Sequence, residues 1–226
     1  MIVVAHPDDE LLGLGATMNM LIAEHNVKTH VVILGEGITS RSDQRNVDEW
    51  KKELETHKKN IHSAKDAIGY HSVSIHDFPD NRFDSVALLD IVKVVEKEKT
   101  AFGPDVIFTH HGGDLNVDHQ RTFEAVITAT RPMEHEKVST VITFETPSGT
   151  EWQASSDPRR FIPNLFFSVS EQNIGSKIKA MESYEFEKRK YPHPRSPEAL
   201  RIQAQRWGIA VGRPYAEAFA LIRSIY

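Results

Sequence analysis

The 226-residue sequence predicts an α/β fold: a Rossmann-like, three-layer αβα architecture with a mostly parallel central sheet. Three observations predict it. Short apolar runs alternate with segments whose apolar residues recur at helical spacing. The runs Ile2–Ala5, His30–Leu34 and Val106-Ile107-Phe108 are apolar without inside-outside alternation, as strands covered on both faces require. Polar or glycine-bearing turns follow them, where open α/β sheets bind ligands.

Each element follows from local pattern. Ile2–Ala5 is the first strand, ending in His6-Pro7-Asp8-Asp9-Glu10, and Leu11, Leu14, Met18, Leu21 and Ile22 share one face of a first helix. His30–Leu34 is the second strand, closed by Gly35-Glu36-Gly37. Residues 43–67 read as a long polar helix that Gly69 terminates. Val73–Ile75 is a short third strand, and Val86, Leu89, Val92 and Val95 mark a helix over Ser85–Lys99. A fourth strand covers Asp105–His110, a helix Asp118–Thr130 and a fifth strand Val138–Phe144. Thr146–Pro163, with three prolines and Gly149, reads as a long loop, of the kind that often carries function. Leu165–Val169 reads as a strand and Glu171–Glu187 as a helix. Tyr191–Pro197 is too proline-rich to be helical, Pro197–Ile209 forms the last helix, and Ala216–Ile225 is a final strand or short helix. With no repeat, low-complexity tract or linker, residues 1–226 read as one domain.

Composition narrows the chemistry. Net charge is −5, which argues against nucleic-acid and anionic-membrane partners, and no apolar run approaches the ~18 residues of a membrane span. The start of the chain lacks the basic segment and longer apolar core of a signal peptide, so a cytoplasmic location is expected. There is no cysteine but there are twelve histidines. Disulfides, thiol nucleophiles and thiolate metal sites are therefore excluded, and any metal must be held by imidazole and carboxylate.

Two polar clusters fall at predicted strand ends. One is His6-Pro7-Asp8-Asp9-Glu10; the other is Thr109-His110-His111-Gly112-Gly113-Asp114-Leu115-Asn116-Val117-Asp118-His119. An imidazole three residues before a carboxylate, across a turn, can converge on one cation, leaving the carboxylate between them free to act on a bound water. Brought to one sheet edge, His6, Asp9 and His119 are candidate ligands. Two histidines and a carboxylate suit catalytic zinc and equally the facial triad of non-haem iron oxygenases. Acids at a helix start also complement the helix dipole, which gives the first cluster a purely structural reading.

These residues, His6-Pro7-Asp8-Asp9-Glu10 with Asp114-x-Asn116-x-Asp118-His119, resemble the PIG-L/LmbE-like zinc N-deacetylases. Gly13, Gly15, Phe78-Pro79-Asp80-Asn81, Glu145-Thr146-Pro147-Ser148 and Tyr191-Pro192-His193-Pro194-Arg195-Ser196 are similar to a bacterial branch of that family, so the resemblance runs through nearly the whole chain. It implies Zn²⁺ on His6, Asp9 and His119, Asp8 as the general base, and Asp118 orienting an imidazole. Many members have histidine where this chain has Asn116, which can donate a hydrogen bond but carries no proton. Asn116 is therefore expected at the substrate carbonyl, with the general acid supplied by Asp8 returning its proton or by His193.

The resemblance further implies a sugar-binding Asp80, whereas the arginine expected near His57 is missing. Arg41 and Arg45 are alternatives for it, and Arg159, Arg160 and Arg195 are candidates to meet the diphosphate of a nucleotide sugar. Trp152 is the one tryptophan expected at substrate, and His110 and His111 rank below His119. The implied reaction removes the N-acetyl group of an amino sugar, whether free, nucleotide-linked or in a glycoconjugate. Its rivals are an amidase for a thiol conjugate or another non-sugar amide, a metal-dependent oxygenase, and a silent sugar- or metal-binding module. The expected partner is a small molecule, and assembly as a homo-oligomer stays open.

Overall fold

A computed structural model describes residues 1–226. The seven-stranded sheet runs β3-β2-β1-β4-β5-β7-β6. Its strands are β1 (Ile2–Val4), β2 (His30–Gly35), β3 (Ser72–Phe78), β4 (Val106–His110), β5 (Thr140–Phe144), β6 (Leu165–Ser168) and β7 (Ala216–Ser224). The first five strands pair in parallel, β7 joins β5 antiparallel, and β6 pairs antiparallel with β7. The helices are α1 (Asp9–Leu12), α2 (Gly15–His25), α3 (Lys51–Ile68), α4 (Leu88–Phe102), α5 (Val117–Ala129), α6 (Glu171–Met181) and α7 (Pro197–Ala210). None is long and apolar enough to cross a membrane.

Strand pleating divides the core. Successive side chains on a strand point to opposite faces, so Ile2 and Val4 of β1 join one cluster while Val3 and Ala5 join the other. The first cluster also takes Val31, Ile33 and Phe144 from the sheet and is covered by side chains of α1, α2, α3, α6 and α7. The second takes Val32, Leu34 and Val141 and is covered by Ile91, Val92 and Val95 of α4 and Ala125, Val126 and Ala129 of α5. Both faces of the sheet are thus dry, which is why its strands read as unbroken apolar runs. The order in which strands are added switches sides between β1 and β4, which pair in parallel with Ile2 opposite Phe108, so the segments leaving these two strands open beside each other.

Several boundaries differ from expectation for local reasons. The first helix is two, because Leu14 leaves helical geometry at φ −149° and ψ 11°; Gly13 before it lies so close to the sheet that a Cβ would be 2.0 Å from the Phe144 ring. The long polar helix begins at Lys51 rather than residue 43. Ahead of it, Arg45 is drawn to Glu36 and Trp50 donates to Ser42, so residues 42–50 fold back as turns. The helix predicted to reach Glu187 stops at Met181, and Tyr184 turns inward to the core. The final segment is a strand, packed between β5 and β6.

Candidate active site

Pro7 closes the turn after β1, and Asp8, at the N-cap of α1, has φ 98° and ψ −25°, a left-handed conformation unusual for a residue with a Cβ. The turn directs His6, Asp8 and Asp9 to the carboxyl end of the sheet. From the neighbouring strand, β4 delivers His110, and the following loop ends at Asn116, whose side-chain oxygen caps α5 by accepting Asp118 N–H at 2.8 Å. The first turn of α5 therefore presents Asp118 and His119 inward, both buried.

One donor atom from each of His6, Asp9 and His119 lies within 4.8 Å of the others. Asp9 Oδ2 is 3.4 Å from His6 Nδ1 and 3.4 Å from His119 Nε2, while Asp9 Oδ1 and His119 Nε2 are buried without a hydrogen-bond partner. Buried polar atoms are nearly always partnered, and a cation shared by these groups would satisfy them, so the donor set fits Zn²⁺. Burial disfavours charge on His119, yet Asp9 and Asp114 outweigh it and lift the imidazole to about 9. Burial likewise opposes ionisation of Asp9, but His119 and His110 hold it well below the ordinary carboxylate range.

Surrounding groups orient these side chains. Asp118 Oδ2 sits 2.8 Å from His6 Nε2 and also accepts Asn81 N–H, and its Oδ1 accepts Phe83 N–H. Asp114 Oδ1 lies 3.1 Å from His119 Nδ1, and the Thr150 hydroxyl donates to Asp114 Oδ2 at 2.6 Å. His110, fully buried, stacks on His119 at 3.9 Å and 7°, and its own nitrogens are engaged by Ala5 N–H and the Thr146 hydroxyl. Sequence reasoning ranked His110 below His119 and gave Asp114, although part of the second motif, no role of its own. A signal for Asp114 existed in Gly149, where a Cβ would lie 2.7 Å from Asp114 Oδ1, but it involves two loops that only folding brings together.

A cleft of about 310 Å³, lined mostly by polar residues, opens at His6. Asp8 lines it and is nearly fully buried. Arg195 donates to Asp8 Oδ2 at 2.7 Å and to Ser148 Oγ at 2.7 Å. Burial pushes the Asp8 carboxyl well above its usual range, against the pull of Arg195. Asp80 lines the cleft and accepts Ser40 N–H at 3.0 Å, with its Oδ1 3.4 Å from His6 Nε2. His193 and Trp152 line it too, ring edge to face at 5.7 Å, and burial with Arg195 holds the His193 imidazole below its ordinary value. Arg41 reaches Phe186 O and Glu187 at the rim, whereas Arg45 grips Glu36 at 2.8 and 3.1 Å and lies outside the lining. Arg159 pairs with Asp157, and neither Arg159 nor Arg160 lines the cleft. Asn116 lines it; its side-chain oxygen caps α5 and its amide nitrogen donates one hydrogen to Asn81 Oδ1 at 2.9 Å. Glu187 and Arg189, absent from the expectations, also contribute.

Fold and cluster together define an α/β protein with a two-histidine, one-carboxylate candidate metal centre at the sheet's switch point. The PIG-L family model, described as GlcNAc-PI de-N-acetylase, matches residues 1–130, and the chain belongs to that family. No curated protein matches it. Among solved structures it is similar to an N,N′-diacetylchitobiose deacetylase from Pyrococcus horikoshii complexed with an inhibitor (18% identity, 98% of this chain and 82% of the other, TM-score 0.72). It is similar to a zinc-inhibited form of the teicoplanin deacetylase Orf2 (17% identity, 99% of each chain, TM-score 0.76). It is also similar to a 4-carboxy-2-hydroxymuconate hydratase from Pseudomonas putida (20% identity, 100% of this chain and 96% of the other, TM-score 0.70). At these identities the likeness establishes the fold.

Proposed function

We propose that the protein hydrolyses the N-acetyl group of an amino sugar, releasing acetate and a free amine. The observation that carries this reading is Asp8. It is a buried acid that lines a polar, sugar-sized cleft, one residue from a candidate zinc ligand and held by an arginine. Family membership and the deacetylases among its structural relatives support it.

His6, Asp9 and His119 would hold Zn²⁺, which supplies Lewis acidity and an acidified water when bound. Asp118 accepts from His6 Nε2, so that nitrogen carries the hydrogen and Nδ1 is left to face Asp9. Asp8 takes the proton of the attacking water and returns it to the departing nitrogen. Arg195 fixes the Asp8 carboxylate, and its second contact with Ser148 limits how far it can swing. His193, with Nδ1 accepting Arg195 N–H, turns its other nitrogen to a bound substrate as a hydrogen-bond donor. Asp80 accepts from a sugar hydroxyl. The absence of an apolar wall favours a sugar over a lipid-like or aromatic amide.

The test is acetate release from N-acetylglucosamine, N,N′-diacetylchitobiose and UDP-N-acetylglucosamine, with and without chelator. Release that stops with chelator and returns with zinc is expected. Zinc-loaded protein that releases acetate from none of them, yet cleaves a non-sugar amide or nothing, overturns the proposal.

A further inference from the structure

Glu10, the last residue of the first polar run, has no part in the chemistry above, yet it is only 3% exposed. Its carboxylate has two partners. Oε2 accepts the backbone N–H of Asp8 at 3.0 Å, and Oε1 accepts the Tyr184 hydroxyl at 2.6 Å. The Tyr70 hydroxyl holds the Glu10 carbonyl at 2.7 Å, so the residue is pinned at both backbone and side chain.

The Asp8 N–H precedes α1 and has no backbone acceptor; buried, it requires one from a side chain. The φ of 98° at Asp8 is disfavoured for any residue with a Cβ and persists only where the surroundings enforce it. Glu10 supplies that enforcement from within the core, while Arg195 holds the Asp8 side chain from the cleft. An acid placed only to complement a helix dipole would stay in solvent and would have no need of a tyrosine arriving from beyond α6.

We infer that Glu10 is a positioning residue: anchored by Tyr184, it fixes the left-handed turn that aims the Asp8 carboxylate into the cleft. This rests on the proposed role of Asp8 as base. Glu10→Gln keeps an acceptor for Asp8 N–H and can satisfy Tyr184, whereas Glu10→Ala removes both contacts. Displacement of a catalytic group by about 1 Å can cost about 100-fold, so Glu10→Ala should lower kcat by about that factor with KM within about twofold. Glu10→Gln should recover most of the loss. Tyr184→Phe, which removes one hydroxyl and keeps the ring, should lower kcat about tenfold on the same grounds, and it guards against failure of Glu10→Ala to fold.

Two readouts stand apart from turnover. Zinc content should equal that of the wild type in all three variants, and crystal structures of Glu10→Ala or Tyr184→Phe should show Asp8 displaced from φ near 98°. Zinc loss would mean that Glu10 acts on the Asp9 ligand and would overturn the inference. So would an unmoved Asp8, or a rise in KM with kcat preserved. Wild-type protein that releases no acetate defeats the functional reading instead, and the geometry of Asp8 in the variants still decides this one.

Discussion

The two oxygens of Asp118 connect His6 to the loop that bears Asp80. One faces His6 Nε2 and Asn81 N–H, the other Phe83 N–H, so a single buried carboxylate sets an imidazole's hydrogen and a loop's path together. Asp118→Asn should let the ring rotate and weaken zinc affinity by about 10- to 100-fold, the usual cost of losing a group behind a metal-bound histidine. Competition with a chromophoric chelator measures this directly, and unchanged affinity would remove Asp118 from that role. Asp8→Asn should behave oppositely: zinc stays bound, while acetate release falls by about 100- to 10,000-fold, the range for a general base. Residues of this kind were legible in the sequence because each lies within a few positions of a strand end. His110 was not, since a histidine on a buried strand reads the same whether it packs or orients a neighbour. Its role appears in the parallel stack on His119 and in the 3.3 Å approach of its Nε2 to Asp9 Oδ2. Asn116, expected at the substrate carbonyl, has a second task that its place directly before a helix also explains: its side-chain oxygen caps α5.

At the scale of elements, a mostly parallel sheet with helices on both faces followed from runs and periodicity, but the strand order and the ties between distant elements did not. Lys177 of α6 donates to Leu12 O at 2.8 Å and to Glu217 of β7 at 2.6 Å. Glu217 in turn accepts Thr17 N–H at 2.7 Å, at the start of α2. Both side chains are nearly fully buried. No local pattern marks a lysine in an amphipathic helix as the one that points inward, and its partner lies far along the chain. The same limit explains α6, whose periodicity continues past Met181 although Tyr184 leaves the helix to reach Glu10. Lys177→Met fills similar volume but strands Glu217 in the core, so it should destabilise the protein by about 3–5 kcal/mol. The double variant Lys177→Met/Glu217→Gln should recover part of that loss in urea unfolding. If the single substitution costs nothing, the buried pair has no role in joining these elements.

Over the whole molecule, the parallel half supplies the candidate metal ligands, and the antiparallel half with its loops supplies Ser148, Glu187, His193 and Arg195 around the cleft. His57 lies on the join. It belongs to α3, stacks on Phe186 at 5.3 Å and 14°, is 3% exposed, and has no hydrogen-bond partner at either ring nitrogen. Burial, reinforced by Arg41 and only partly offset by Asp80, lowers its value from 6.5 to about 4. In the unfolded chain the ring regains its ordinary value, so between pH 6.5 and about 4 the unfolded state binds a proton that the folded state refuses. Stability from this group is therefore complete above pH 6.5 and falls as pH drops towards about 4. At 1.36 kcal/mol per unit the loss is about 3 kcal/mol at most. His57→Phe can keep the stack on Phe186 while removing the titration. Denaturant unfolding of both proteins should then show the difference in stability shifting in favour of the variant by about 2–3 kcal/mol between pH 7 and pH 4.5. A difference that stays constant with pH would mean that the imidazole takes up its proton in the folded protein as readily as in the unfolded chain.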